Sequence, residues 1–260
     1  FLEMPIIIGN SISIGSGGTA AAVPDVPEFR FSVNSAGTGT SAPNEFTIPI
    51  NAGTFNYDIS TDDGYSATGV TGAHTITFPS GKGIHNVVIT GLFPGMLFNA
   101  GGDDDKILTI DNWGAYGKGS TDQQKAFYGC SLLAINATDE GNFSQVTNFF
   151  RFAFFTPNIT TFPFINLSSA TNFNSFIYYA TSLTTFPANM FDNSPATNYI
   201  NAFANTNLTT QSIDNILVSI DTAGGINGSF KQSGGQAPSA TGIAAKDSLV
   251  AKGWTVVYTA

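Results

Sequence analysis

Between residues 28 and 115, apolar side chains recur at every second position in short runs. Phe29-Arg-Phe-Ser-Val, Glu45-Phe-Thr-Ile-Pro-Ile, Asn56-Tyr-Asp-Ile-Ser, His74-Thr-Ile-Thr-Phe, His85-Asn-Val-Val-Ile-Thr and Lys106-Ile-Leu-Thr-Ile all alternate this way. A strand with one buried face reads like this, because successive side chains leave opposite faces of a sheet. Gly, Pro, Asn or Asp clusters bound each run and supply the turns. Six or seven short strands at this spacing predict a β-sandwich over 28–115. Upstream, residues 1–27 read as an arm and linker, with Pro5-Ile-Ile-Ile-Gly and Ser11-Ile-Ser-Ile-Gly ahead of a Gly/Ala/Pro-rich stretch. Such an arm either docks on a neighbouring subunit or forms an edge strand of its own domain.

From residue 116 the pattern becomes an internal repeat. Val146-Thr-Asn-Phe149, Ala170-Thr-Asn-Phe173 and Ala196-Thr-Asn-Tyr199 recur at spacings of 24 and 26 residues. An aromatic residue follows four or five positions later at Phe154, Tyr178 and Phe203, and an aliphatic one five beyond that at Ile159, Leu183 and Leu208. An incomplete earlier unit supplies Phe127 and Leu132. A unit this short cannot bury its own apolar face, so the units must stack, with equivalent side chains in ladders. The expected fold class is therefore mainly β: a sandwich over 28–115, a short solenoid over 116–222 and a terminal cap over 223–260. Ile213, Ile216, Leu217 and Ile220 fall on one helical face. A strand near Gly224, a second short helix over 242–252 and a final strand over 253–258 complete the expected cap.

Two resemblances sharpen this reading. Tyr57-Asp-Ile-Ser-Thr-Asp62-Asp63-Gly64, then His74-Thr-Ile-Thr-Phe, then Gly83-Ile-His-Asn-Val-Val-Ile-Thr-Gly91 resembles the PKD-type immunoglobulin-like module. That family carries an acidic-Gly turn, a His-plus-aromatic strand and a Gly-led final hairpin. Its usual Trp in the acidic turn is absent, with Thr61 standing near its place. The phrases Leu183-Thr-Thr-Phe-Pro and Ala170-Thr-Asn-Phe, repeated in phase over about 126–222, resemble the leucine-rich repeats of BspA-like surface proteins. The helix–strand ending is similar to the cap of BspA-like proteins and of related phage tail and virion proteins. These resemblances imply an extracellular or virion-surface protein that binds or assembles.

Composition agrees with that placement. Charged residues are 10% of the chain, against about 25% in an ordinary soluble domain, so hydroxyls and amides solvate the surface. The net charge of −9 rests on only nine Lys and Arg, with no basic run. The footprint that holds nucleic acid phosphates is missing. No apolar run reaches the length that inserts into a membrane. The single cysteine, Cys130, allows no internal disulfide and reads as core packing.

Candidate chemistry is sparse. His74 and His85 stand at strand starts without a nucleophile motif, and strand-end hydrogen bonding accounts for both. Asp103-Asp104-Asp105 offers oxygen ligands of the kind Ca²⁺ takes, without the alternating spacing of a calcium loop. Asp62-Asp63-Gly64 fits an ordinary turn. No catalytic residue and no cofactor is nominated. Phe149, Phe154, Phe162, Phe173, Tyr178, Phe186, Tyr199 and Phe203 recur in phase and are expected in the core. Phe152, Phe155, Phe176 and Tyr179 break the phase and are expected to form an exposed patch that marks a binding surface.

The functional expectation is a non-enzymatic structural or binding protein of a phage virion, tail-associated or capsid-decorating. Its partners would be neighbouring virion subunits or a host-surface protein or glycan, with homo-oligomerisation allowed. Met4 reads as a natural start, which favours a virion protein; a removed signal would favour a BspA-like bacterial adhesin. A virion carbohydrate-active enzyme is the third reading, and it needs a carboxylate pair that the sequence does not display.

Overall fold

The computed structural model describes residues 26–259. The arm expected over 1–27 lies almost wholly outside them. The described chain is mainly β. Seven strands, β1 (Phe29–Asn34), β2 (Glu45–Ile48), β3 (Asn56–Thr61), β4 (Ser66–Val70), β5 (His74–Thr77), β6 (Ile84–Leu92) and β7 (Ile107–Asn112), occupy the region of period-two alternation. With the short β8 (Ala134–Ile135) they form a six-stranded sheet in the order β4-β3-β6-β1-β7-β8 and a separate β2-β5 pair. Phe31 of β1 and Phe46 of β2 meet with ring centroids 5.8 Å apart, so the pair covers the inner face of the larger sheet.

The last strand of that sheet comes from the repeats. Thr109 and Ile110 of β7 pair in parallel with Ala134 and Ile135 of β8. Phe93 bridges Tyr116 in the same parallel sense, and the amides of Phe98 and Ala100 donate to the carbonyls of Ala126 and Tyr128. The stacking thus begins before residue 116, and segment 93–112 serves as a degenerate first coil. Trp113 is fully buried at this junction. It touches Phe29 on one side and Phe127 and Phe143 on the other, at 6.4, 6.0 and 5.2 Å. One apolar core therefore runs from the sheets into the coils.

The coils are joined by single parallel bridges rather than by long strands. Asp122, Asn148, Asn172 and Asn198 bridge in succession. Asn172 Nδ2 donates to Asn148 Oδ1 at 3.0 Å, and Asn198 Nδ2 to Asn172 Oδ1 at 3.2 Å. The Oδ1 atoms of Asn148, Asn172 and Asn198 each also accept the amide two residues on, from Phe150, Asn174 and Ile200. This local closure suits Asn because its side chain mimics a backbone turn. Three and seven residues after each bridge the backbone is left-handed. Lys125, Arg151, Ser175 and Asn201 have φ of 54–57°, and Phe155, Tyr179 and Asn205 have φ of 59–63°. Gly129 occupies the equivalent place in the first unit with φ 91°.

The Asn ladder widens into a parallel sheet at the C-terminal end. β9 (Asn198–Ile200), β10 (Ser229–Ser233) and β11 (Thr255–Thr259) carry it outward. α1 (Thr210–Thr222) buries Ile213, Ile216, Leu217 and Ile220, the face expected from their spacing. Thr209 caps its N-terminus by accepting from the Ser212 amide. α2 (Ala240–Ala251) packs on α1. Asp214 in α1 accepts from the amide and hydroxyl of Ser239, the residue that caps α2. Lys252 Nζ donates to the Asp221 carboxylate and carbonyl, both at 2.8 Å.

Candidate functional site

The coil geometry decides where each aromatic residue points. Counted from the bridging Asp or Asn, Phe127 and Phe203 are fifth, whereas Phe154 and Tyr178 are sixth. Spacing alone merges two rows that the backbone keeps apart. The fourth and fifth positions both enter the core and share its volume between them: Ala126 with Phe127, Phe152 with Ala153, Phe176 with Ile177, and Ala202 with Phe203. A large side chain at one position is matched by a smaller one at the other, as close packing demands.

The expectation that Phe152 and Phe176 form part of an exposed patch is therefore corrected. Both are fully buried, 5.7 Å apart, and touch Phe149 and Phe173. The left-handed residues Arg151 and Ser175 immediately before them turn them inward. Phe154 and Tyr178, expected in the core, are instead half-buried at its rim.

Phe155 and Tyr179 face outward, 47% and 37% exposed. Their rings stack at 4.6 Å with an interplanar angle of 7°. Behind them Phe154 stacks on Tyr178 at 4.8 Å, and Tyr128 meets Phe154 edge-on at 4.9 Å. The Arg151 guanidinium lies over Phe150 and Phe154, 4.9 and 5.0 Å from the ring centroids. The result is a ridge of two aromatic rows along one side of the coils, with a cation laid across it. The outer row is two rings long, so one face of each is covered by the other, and Gly129 and Asn205 occupy the equivalent places in the neighbouring coils.

Two shallow grooves of about 450 and 150 Å³ flank the partly exposed Phe164. Amides, hydroxyls and apolar groups line them, among them Asn136, Thr138, Asn166 and Asn193. Neither lining contains a titratable side chain, so neither can run proton-transfer chemistry with its own residues.

Asp103, Asp104 and Asp105 serve separate hydrogen-bond sets. Asp103 is buried beneath the loop before β2 and accepts from the amides of Thr40, Ser41 and Thr47 and from the Ser41 hydroxyl at 2.6–3.0 Å. Lys106 Nζ lies 3.8 Å from it, fully buried, and donates to the carbonyls of Ser41, Ala42 and Glu45. Burial works to raise the Asp103 carboxyl, but the Ser41 hydroxyl and amide, the Thr47 amide and Lys106 outweigh it and hold it below the usual carboxylate range. Asp105 accepts from the Ser131 hydroxyl at 2.5 Å. Asp104 accepts from the Asp105 amide, and burial followed by the Asp105 charge raises its carboxyl. Cys130 is buried beside them, and burial raises its thiol well above the ordinary range.

The tertiary structure joins residues that the sequence keeps apart. Asp62 and Asp63, in the turn after β3, approach His85 at the start of β6, and one ligand atom from each lies within 4.8 Å of the others. Among the described residues, this is the group of His, Cys, Asp and Glu whose geometry could hold a metal ion. His74 bonds the Tyr65 hydroxyl instead, at 2.5 Å. No family model, curated protein or solved structure matches the chain.

Proposed function

We propose that the chain is a non-enzymatic binding and display module of a virion surface, in which immunoglobulin-like sheets hold a leucine-rich-repeat-like coil array and the array presents the Phe155–Tyr179 ridge to a protein. The observation that carries this reading is the ridge itself. Large aromatic side chains with an Arg across them are what central protein contacts favour. Their conformations are held in advance by neighbouring rungs, so little side-chain freedom is lost on binding. The partner would be a neighbouring virion subunit or a host-surface protein. On a bacterial cell surface, as a BspA-like adhesin, the same ridge would serve the same role.

Phe164 favours a second reading. One of its grooves carries Asn and Thr side chains beside an exposed ring, the composition that contacts a glycan. The test is binding of the full chain to host cells and to assembled particles lacking it. Phe155→Ser/Tyr179→Ser is expected to abolish binding while Phe164→Ser leaves it intact. The opposite pattern supports the glycan reading, and release of sugar reducing ends would overturn the non-enzymatic one.

A further inference from the structure

We infer that Asp62, Asp63 and His85 form a binding site for a divalent transition cation of the Zn²⁺ type. His85 is only 4% exposed, and its ring lies flat on Phe78, with centroids 3.8 Å apart and planes 4° from parallel. Its Nε2 lies 3.0 Å from the Gly81 carbonyl oxygen. A carbonyl can only accept, so Nε2 carries the hydrogen and Nδ1 is the atom left to act. Nδ1 makes no hydrogen bond. It points between two carboxylates, with Asp63 Oδ2 at 3.6 Å and Asp62 Oδ1 at 4.0 Å.

Two charged arrangements bring a ring nitrogen of this buried histidine together with two anionic oxygens: a proton on Nδ1, or a cation between all three atoms. The distances separate them. A charged N–H would draw one carboxylate to about 2.8 Å. Two ligand atoms each about 2.0–2.1 Å from a tetrahedral ion stand roughly 3.4 Å apart. The two gaps from Nδ1, 3.6 and 4.0 Å, lie close to that, and with all three atoms within 4.8 Å of one another the exposed Asp62 carboxylate is the one that has to swing inward. The surrounding bonds are those of a supported site. The Gly81 carbonyl fixes the tautomer, the usual role of the outer partner of a ligating His. Asp62 is oriented through its other oxygen, which accepts from Asn86 Nδ2 at 2.9 Å. Asp63 is held through Oδ1 by the Thr61 hydroxyl at 2.5 Å, while its Oδ2, the oxygen facing His85, accepts from the Ser80 amide and hydroxyl at 3.1 and 3.0 Å, and the hydroxyl would turn away to make room for the ion. One imidazole with two carboxylates suits Zn²⁺ and its neighbours, whereas Ca²⁺ takes six to eight oxygens. Asp62 is 42% exposed along its side chain, which leaves the outer side of the ion open to water or to a ligand from a partner. The ion would staple the turn after β3 to the start of β6.

The test is calorimetric titration of the untagged, chelator-treated full chain with ZnCl₂, read beside the long-range ¹H–¹⁵N spectrum of its two histidines. Saturable binding of one ion is expected, with the His85 Nδ1 resonance moved and its Nε2–H retained, and with a melting temperature that rises with Zn²⁺ concentration but not with Mg²⁺. Asp62→Asn, at a solvent-facing position, is expected to keep the metal-free melting temperature and to lose roughly tenfold or more in affinity. His85→Gln is expected to lose affinity as well, with a lower metal-free melting temperature because the ring it removes is buried against Phe78. Absence of saturable binding would overturn the inference. So would affinity unchanged in Asp62→Asn, or a His85 Nδ1–H signal that excess Zn²⁺ does not displace.

Discussion

Removal of the Asp103 carboxylate tests whether the long loop before β2 is held by one buried ion pair. Asp103→Ala deletes the acceptor of four hydrogen bonds and leaves Lys106 buried without a carboxylate. Stripping one member from a buried pair costs about 3–5 kcal/mol. Each buried donor left unsatisfied carries about 1–3 kcal/mol on its own. These contributions overlap rather than add, because the same atoms are counted in both, and about 4 kcal/mol is the expected loss. That is a large share of the roughly 5–15 kcal/mol that holds a natural domain. Equilibrium urea unfolding followed by Trp fluorescence reads it directly, since Trp113 and Trp254 are both buried. With an m-value of about 2–3 kcal/mol/M, the midpoint should fall by roughly 1.5 M.

Lys106→Met keeps the buried stem and removes the ammonium. The double variant should lose less than the sum of the two single variants, because neither charge is then left alone. A loss under about 1 kcal/mol for Asp103→Ala, or additivity within roughly 0.5 kcal/mol, would refute the reasoning. The pH dependence follows with a definite sign. The folded carboxyl is held below its unfolded value, so its stabilisation is complete above an unfolded pKa of about 3.9 and is lost as pH falls through the folded value. Wild-type stability should drop below about pH 4, and Asp103→Asn should flatten that limb.

The remaining predictions concern the coils and the cap. Phe176→Ala should cost about 3–5 kcal/mol, and Phe154→Ala clearly less, because only the former is fully enclosed; the same unfolding assay compares them. Asn172→Ala removes a donor and an acceptor from the middle of the ladder and should cost roughly 1–3 kcal/mol, with faster amide exchange at Asn174. Gly228 lies against the Trp254 ring so closely that a Cβ would meet it inside 3 Å. Gly228→Ala should therefore cost about 1–3 kcal/mol and change the Trp254 near-ultraviolet circular dichroism.

Much of this architecture is written in local pattern. The six period-two runs became β1, β2, β3, β5, β6 and β7, with β4 added by the fold, the Ile213–Ile220 spacing became the buried face of α1, and the Val146, Ala170 and Ala196 phrases mark true successive rungs. Such features survive in one dimension because each depends on side chains a few residues apart along one element. The phase of the aromatic residues does not. Left-handed turns at Arg151, Ser175 and their equivalents rotate the chain within each coil, so Phe152 and Phe176 go inside while Phe155 and Tyr179 stay out. Those turns leave little trace in residue type, since Lys, Arg, Ser and Asn all occupy the same position. The first coil, over 93–112, was hidden for a related reason: it stacks through backbone bonds and carries none of the repeated phrases.

Long-range pairing decided the rest. Asp62 and Asp63 read as a turn and His85 as a strand end, and both descriptions are locally true. Only the antiparallel register that sets Thr61 opposite Val87 carries the two aspartates to the histidine. Asp103 likewise reads in sequence as one of three consecutive acids offering oxygen to a cation, whereas the fold lays the amides of Thr40, Ser41 and Thr47 over it. Sequence by itself determined which elements form and that the coils must stack, because burial of apolar periodicity is a local demand. Which polar groups meet was left to the tertiary structure, because a charge or an imidazole carries no periodicity and finds its partner only when two distant turns are brought within a few ångströms.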